Sequence, residues 1–202
     1  MTRLRVGISA CLLGQEVRFD GGHKRDSFLA DALGNYVEWI PVCPEVEVGM
    51  GTPREPLRLV RDGERTLMVT TRTGIDYTER MNQWAWTRVA ALAGADLDGY
   101  VLKRNSPSCG LLDVGVFDDL DRSSPEGQGV FAAVLTERMP LLPVEDEGRL
   151  TDPRLRETFV TRLVAYRRLK NYIRGEWSPG AVAAFQFCLQ LHLGQLMPRS
   201  HA

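Results

Sequence analysis

The stretch "RLRVGISAC", residues 3–11, alternates polar and apolar side chains, then turns to small residues and ends at a cysteine. Alternation with a period of two predicts a β-strand over residues 3–10, which places Cys11 at its carboxyl end. Predicted strands also precede the other two cysteines, "YVEWIPV" (residues 36–42) before Cys43 and "DGYVLK" (residues 98–103), with its apolar run, before Cys109. The sequence therefore predicts three strands, each of which is followed by a cysteine.

Helical patterns separate these strands. Residues 26–34 predict a short helix, with Asp26 or Ser27 as N-cap and Gly34 at its end. Residues 76–93 predict a longer helix that Gly94 ends. Its apolar face consists of Met81, Trp84 or Ala85, Val89 and Leu92.

The other elements complete an alternating order of strands and helices. They are a hairpin over residues 57–71 around Asp62 and Gly63, a helix over 130–139 and a last short strand over 140–144. Residues 43–56 and 118–129 are rich in Gly, Pro or polar side chains and are predicted to be loops without regular structure. The order predicts an α/β fold with a Rossmann-like, mostly parallel sheet flanked by helices.

The chain changes character after residue 147, so we predict a catalytic domain over 1–147 and an all-α extension over 148–202. Asp152 as N-cap and Pro153 in the first turn begin a helix, and a second helix is expected over 179–196. The apolar stripe of the first helix is Leu155, Phe159, Leu163, Tyr166 and Ile173. Residues 149–174 also hold eight Lys or Arg and two acids. They predict either a phosphate-binding face or the solvated side of an ordinary helix.

Composition narrows the classes of function. The chain has 202 residues, 44% hydrophobic and 25% charged, with a net charge of −1. These values are typical of a globular protein and exclude a strong overall field for nucleic acid or membrane. No apolar run is long enough to span a bilayer, and the amino terminus lacks a signal-peptide pattern, so we expect a cytoplasmic protein. Grouped cysteines in that compartment indicate metal binding or catalysis.

Cys11, Cys43 and Cys109 are expected to meet, because the carboxyl ends of parallel strands lie at one edge of a sheet, where ligands bind. Three thiolates without a clear fourth predict a metal centre with an open position, either catalytic zinc or an iron–sulfur cluster with one exposed iron. Cys188 lies in an apolar helical segment and is interpreted as a core residue. Taken singly, each of the three cysteines has an equally good structural interpretation.

Polar residues near these cysteines are candidates for proton transfer and substrate binding. Glu45, two residues after Cys43, is suited to act as general base or acid, whereas Glu47 is interpreted as a solvated charge. The candidates for substrate binding are Asp20, His23, Lys24, Arg54 and Lys103. Each of these also has a structural interpretation, as a surface side chain or a turn cap.

Four segments resemble the DUF523 family, whose studied members are thiouracil desulfidases of the TudS type. They are "ISACLLG" (8–14), "VRFDGGHK" (17–24), "CPEVEVGMGTPREP" (43–56) and "KRNSPSCG" (103–110). The resemblance covers roughly residues 3–145. A further segment, "DPRLRETFVTRLVAYRR" (152–168), resembles the start of a DUF1722 domain, although the sequence after residue 184 departs from that pattern. Proteins with both parts are similar to the RudS-type tRNA 4-thiouridine desulfidases.

The resemblance implies a [4Fe-4S] cluster on Cys11, Cys43 and Cys109, with the fourth iron open to the sulfur of a thiolated pyrimidine. It implies that Glu45 is the acid–base group and that the catalytic serine is Ser106, with Ser108 next. The open iron then acts as a Lewis acid and no net electron transfer is needed. The two-part architecture favours 4-thiouridine in tRNA as substrate, and free 2- or 4-thiouracil is the alternative.

Two other functions are compatible with parts of the sequence. A non-catalytic redox or iron sensor that binds RNA needs the three cysteines but neither Glu45 nor a serine. A metal-free cysteine hydrolase needs a single thiolate beside a base, and no neighbouring Cys–His pair indicates one.

Overall fold

The structure, a computed structural model, describes residues 3–175. Four strands form an all-parallel sheet in the order β2-β1-β5-β8, which are Val37–Val42, Leu4–Ser9, Gly99–Leu102 and Val144–Asp146. The three cysteine-bearing strands are adjacent in this sheet, as their pattern predicts. The last strand begins at Val144, where the predicted one ended.

Helices cover the parallel sheet and bury its apolar side chains. They are α2, Thr78–Gly94, α3, Val130–Arg138, and α4, Pro153–Ile173; α1, Pro44–Glu47, is a single turn after β2. The buried residues of α2 are Met81, Ala85, Val89 and Leu92, in agreement with the predicted face. All four residues of β5 are buried, since helices pack on both sides of this strand.

A second sheet carries the predicted hairpin and two strands that the sequence analysis missed. Its order is β4-β3-β6-β7, which are Arg65–Thr70, Leu57–Asp62, Val114–Phe117 and Ser123–Gly127. The loop predicted over 118–129 is wrong, because residues 123–127 pair antiparallel with β6. Their sequence, "SSPEG", is polar because β7 is an edge strand, which backbone pairing holds together with side-chain contacts of Ser124 with Val116 and of Glu126 with Arg61.

Two further local predictions are corrected. Residues 26–34 form a π-helical turn at Phe28–Ala32 and a 3-10 turn at Leu33–Asn35 instead of one α-helix, and Asp26 accepts the hydrogen bond from the Leu29 backbone N at 2.9 Å. Residues 44–47 form the single turn α1 within a segment predicted to be wholly irregular. Pro44 occupies its first position, where proline fits without loss of a hydrogen bond.

Helix α4 is built onto the parallel sheet. As predicted, its Asp152 side chain accepts from the Arg154 backbone N at 2.8 Å. Phe159 and Leu163 are buried in one cluster with Ile8 of β1, whereas Ile173, predicted to face the core, is 72% exposed. The described part of the predicted extension therefore shares a core with the parallel sheet. The predicted second helix over 179–196 lies outside the described residues.

Ion pairs within the chain neutralise much of the positive charge on residues 149–174. The guanidinium group of Arg167 pairs with the buried carboxylate of Asp98. Lys170 also contacts this carboxylate, at 2.9 Å. Two more pairs join Arg174 to Asp96 and Arg149 to Glu145. These contacts anchor the helix to the sheet, so the basic composition of this segment is in large part explained by intramolecular pairing.

No helix among the described residues is long and apolar enough to cross a membrane.

We predict that Asp98→Asn lowers the free energy of unfolding by about 3 kcal/mol, because it leaves two cations facing a neutral group that is fully buried. Burial opposes ionisation of Asp98, but the pairs with Arg167 and Lys170 outweigh it and lower the pKa of this carboxyl below 3.8. Its contribution is therefore complete above pH 3.8 and is lost as the pH falls below that value. Urea unfolding at several pH values measures both effects.

The matched control is Asp121→Asn, which removes a carboxylate that is 74% exposed and paired with Arg58. We expect a change within about 1 kcal/mol. An equal loss in the two variants would contradict the anchoring role of Asp98.

Candidate functional site

A cavity of about 350 Å³ opens where β1, β2 and β5 end. The side chains of Cys11, Cys43 and Cys109 all border it, and none of the three forms a disulfide. The other lining residues with polar groups are Ser9, Arg18, Lys24, Glu45, Arg54, Lys103, Arg104, Asn105 and Ser106. Parallel pairing has thus brought together three thiols that are far apart in the sequence.

Local backbone structure presents each of the first two thiols. Cys11 lies in the 3-10 turn Ala10–Leu13 directly after β1, and its carbonyl accepts from the Lys24 backbone N at 3.0 Å. Cys43 is the extended residue before α1, where Pro44 forces a change of direction. Its thiol donates to the Val17 carbonyl at 3.6 Å, so the loop after β1 and the end of β2 are joined at the cavity wall.

The loop that holds Cys109 is fixed from two sides. The Ser106 Oγ accepts from the backbone N of Ser108 at 3.2 Å and of Cys109 at 3.1 Å. The first turn of α3 donates to the same loop, Val130 N to the Pro107 carbonyl at 3.0 Å and Phe131 N to the Ser108 carbonyl at 2.9 Å. These contacts satisfy helix N–H groups that otherwise have no partner, and they set the position of Cys109.

Gly129, just before α3, makes this close approach possible. A Cβ at this position would lie 2.5 Å from the carbonyl atoms of Ser108 and 2.7 Å from the Cys109 N. The helix could not reach the loop with a side chain there.

Burial keeps the three thiols protonated. Desolvation is the largest cause in each case, and it raises the pKa of Cys11 to about 11, that of Cys43 to about 12 and that of Cys109 well above its usual value. The nearby Glu45 carboxylate raises all three further. Binding of metal must therefore displace protons from these sulfurs.

Glu45 lies at the cavity wall between a thiol and a guanidinium group. Its side chain is 12% exposed, with Oε2 3.5 Å from the Cys43 sulfur, whose single proton can go either to this oxygen or to the Val17 carbonyl, and 3.7 Å from Nη2 of Arg54. Arg54 also donates to the carbonyls of Val17 and Gly51, each at 2.9 Å. Arg54, which was predicted to bind substrate, therefore also holds Glu45 and two loops in place. Glu47, interpreted as a solvated charge, points away from the cavity and pairs with Arg88 at 3.0 Å.

Lys103 borders the cavity and is held by a residue that the sequence analysis missed. Glu147 pairs with its ammonium group and accepts from the Arg104 backbone N at 2.7 Å. Glu147 directly follows β8, the fourth parallel strand. Because the carboxyl ends of parallel strands lie at one edge of the sheet, Glu147 lies at the same edge as the cysteines. A predicted last strand that continued to residue 146 would have identified Glu147 as a site residue.

Three predicted site residues do not line the cavity. Asp20 accepts from the Gly22 backbone N at 3.0 Å, and His23 Nδ1 accepts from the Arg25 N at 3.2 Å, so both serve the turn after β1. Ser108 is fully buried, with its hydroxyl 3.7 Å from the Met68 sulfur. Of the two serines, the structure brings Ser106 to the cavity.

Within residues 3–175, no group of three or more His, Cys, Asp or Glu side chains is arranged to hold a metal ion. An iron–sulfur cluster makes a different demand from a single ion, because each of its cysteine ligands binds a different iron.

The model of the 2-thiouracil desulfurase family matches residues 6–147. This chain belongs to that family. The structure resembles that of the [4Fe-4S]-dependent thiouracil desulfidase TudS, with a TM-score of 0.62, 32% identity, and coverage of 77% of this chain and 99% of that one. The uncharacterized protein YbbK of Bacillus subtilis (strain 168) is 32% identical in an alignment 137 residues long, which covers 64% of this chain and 88% of YbbK.

Membership in the 2-thiouracil desulfurase family and the likeness to TudS indicate a thiouracil desulfidase, an enzyme whose substrate is a thiolated pyrimidine. The matched region contains every residue that lines the cavity and stops before α4. The resemblance of residues 152–168 to a DUF1722 domain stays a prediction.

We predict that the metal-free protein resists alkylation. At pH 8, iodoacetamide should modify Cys11, Cys43 and Cys109 at least about tenfold more slowly than a small thiol, because few thiolates are present. Rates should continue to rise above pH 9. Peptide mass spectrometry at timed intervals follows each cysteine, and the same protein in urea is the control. A thiol in the folded protein that reacts at the ordinary rate at pH 8 would contradict this account.

Proposed function

We propose that this family member binds a [4Fe-4S] cluster through Cys11, Cys43 and Cys109 and converts a thiolated uracil to uracil with release of sulfide. The observation that carries the proposal is the position of Glu45, which faces the same cavity as three unpaired thiols. A sensor that only binds a cluster has no use for a carboxylate held at that point.

The donor set of the cavity fits such a cluster. Its walls supply three thiols and no histidine or further cysteine among the described residues, which matches a cluster with three protein ligands and one iron open to substrate. When bound, the cluster supplies a Lewis acid toward the thiocarbonyl sulfur, without net electron transfer.

Glu45 is suited to move the protons of the reaction. Its Oε2 takes a proton from the water that attacks the thiocarbonyl carbon, so that C=S and water become C=O, a hydrosulfide ion and the proton held by Glu45. Arg54 holds this carboxylate at the wall and keeps it from turning into solvent.

Ser106 is suited to donate a hydrogen bond to the substrate. Its Oγ already accepts from two backbone N–H groups, so its own proton is left to point into the cavity. A donor there orients the pyrimidine through a ring nitrogen or an exocyclic oxygen.

Charge at the cavity favours an anionic product. Five cationic side chains and one carboxylate line it, which stabilises a hydrosulfide ion as it leaves. Two of the cations, Lys24 and Arg104, are exposed and form no ion pair within the described part of the chain. They support the proposal that the thiolated base is 4-thiouridine in tRNA, because RNA binding requires cations that remain free for phosphates.

A metal-free cysteine hydrolase is disfavoured by the same geometry. It needs a thiolate next to a base, whereas burial raises the pKa of all three thiols and no imidazole borders the cavity among residues 3–175.

We predict that Glu45→Gln lowers turnover by about 10²-fold or more while the cluster still loads, because the variant keeps the shape but loses the proton acceptor. The protein is reconstituted anaerobically and given bulk tRNA that contains 4-thiouridine or, in parallel, free 4-thiouracil. Loss of the thiolated base and release of sulfide are measured together.

Glu47→Gln is the matched control, since Glu47 pairs with Arg88 outside the cavity, and it should retain turnover. A loaded Glu45→Gln variant as fast as the wild type would contradict the assigned role. Turnover of 4-thiouracil alone would make the free base the substrate, and no sulfide from either would overturn the desulfidase proposal.

A second prediction separates the two serines. Ser106→Ala should lower kcat by about 10-fold to 100-fold, because one oriented donor to the reacting group is lost. Ser108→Ala, which removes a hydroxyl buried against Met68, should leave kcat of the loaded protein within about twofold. The reverse order of effects would show that the loop presents Ser108 to the substrate.

A further inference from the structure

Tyr100 carries a buried hydroxyl without a partner. It lies on β5, opposite Gly7 of β1, and its ring covers that glycine so closely that a Cβ there would be 2.2 Å from the ring. The side chain is fully buried, and its hydroxyl forms no hydrogen bond within residues 3–175. Buried polar groups are nearly always hydrogen-bonded, and an unsatisfied one costs free energy, so this hydroxyl requires an explanation.

The surroundings of Tyr100 place it behind the cavity wall that bears the cysteines. Its ring packs on Phe131 with 5.6 Å between centroids, and the Phe131 backbone N donates to the carbonyl of Ser108, the residue before Cys109. The same buried cluster contains Cys109 itself and Val42, the residue before Cys43.

The causes that raise the pKa of the Tyr100 hydroxyl agree with this placement. After burial, a thiolate charge on Cys109 would have the largest effect that raises the pKa of Tyr100, and one on Cys43 would raise it as well. Tyr100 therefore keeps its proton, and its O–H group has no acceptor among residues 3–175 while the thiols are neutral.

We propose that the Tyr100 hydroxyl is the buried donor that stabilises the thiolate sulfurs of Cys109 and Cys43 when the cluster is bound. The inference rests on the proposed function, because those sulfurs become anionic acceptors only as cluster ligands. Donors directed at ligating sulfurs stabilise the cluster and raise its reduction potential.

The competing acceptor is Glu47, whose charge also influences Tyr100. Its carboxylate is already engaged by Arg88 at 3.0 Å. If Tyr100 served this ion pair, its hydroxyl would contribute to the stability of the metal-free protein, whereas a donor to the cluster contributes only after loading.

The test is Tyr100→Phe, which removes one oxygen and keeps the ring. Metal-free and anaerobically reconstituted proteins are compared by thermal unfolding, by removal of iron with a chelator and by a potentiometric titration followed by electron paramagnetic resonance. We expect an unchanged or higher Tm without the cluster. In the loaded variant we expect iron loss roughly two- to tenfold faster, the range that one hydrogen bond supplies, and a more negative midpoint potential.

Tyr166→Phe is the matched control, since Tyr166 lies on α4 and does not line the cavity. It should change neither iron loss nor potential. The inference is overturned if loaded Tyr100→Phe matches the wild type in both, or if its metal-free form unfolds at a lower temperature. A wild-type protein that takes up no iron and sulfide would overturn the proposed function, and this inference with it.

Discussion

Parallel pairing of β1 with β2 on one side and β5 on the other is the constraint on which the site depends. Because the three strands run in the same direction, the loops after Ser9, Val42 and Leu102 must all begin at one edge of the sheet. The register adds precision, since Ser9, two residues before Cys11, lies opposite Val42, which is one residue before Cys43. A shift of one residue would turn every side chain of β1 to the opposite face of the sheet and move Cys11 relative to the other two thiols.

Tertiary contacts then convert this common edge into a defined cavity. The amino terminus of α3 fixes the loop of Cys109, Arg54 ties the loop after β1 to the loop after β2, and Glu147 holds Lys103 at the end of β5. The same packing removes water from the thiols and keeps them neutral. Structure and chemistry are therefore linked, because the burial that positions the sulfurs also holds them in the protonated form.

The sequence was sufficient where the information is local. Alternation identified β1 and β2, an apolar run identified β5, and the apolar spacing of Met81, Trp84 or Ala85, Val89 and Leu92 identified the buried face of α2. The sequence did not identify strand β7, because its residues are polar and pair with β6 through the backbone. The contacts of Ser108 with Met68 and of Glu147 with Lys103 span about 40 residues, and no local pattern reports such partners.

The central claim is that three strand-end sulfurs hold one cluster. Its most direct test is the iron and acid-labile sulfide content of the desalted protein after anaerobic reconstitution, in the wild type and in four single Cys→Ser variants. We expect about four irons per chain in the wild type and in Cys188→Ser, and a large loss in the variants of Cys11, Cys43 and Cys109. Full content in any of those three, or loss in Cys188→Ser, would contradict the account.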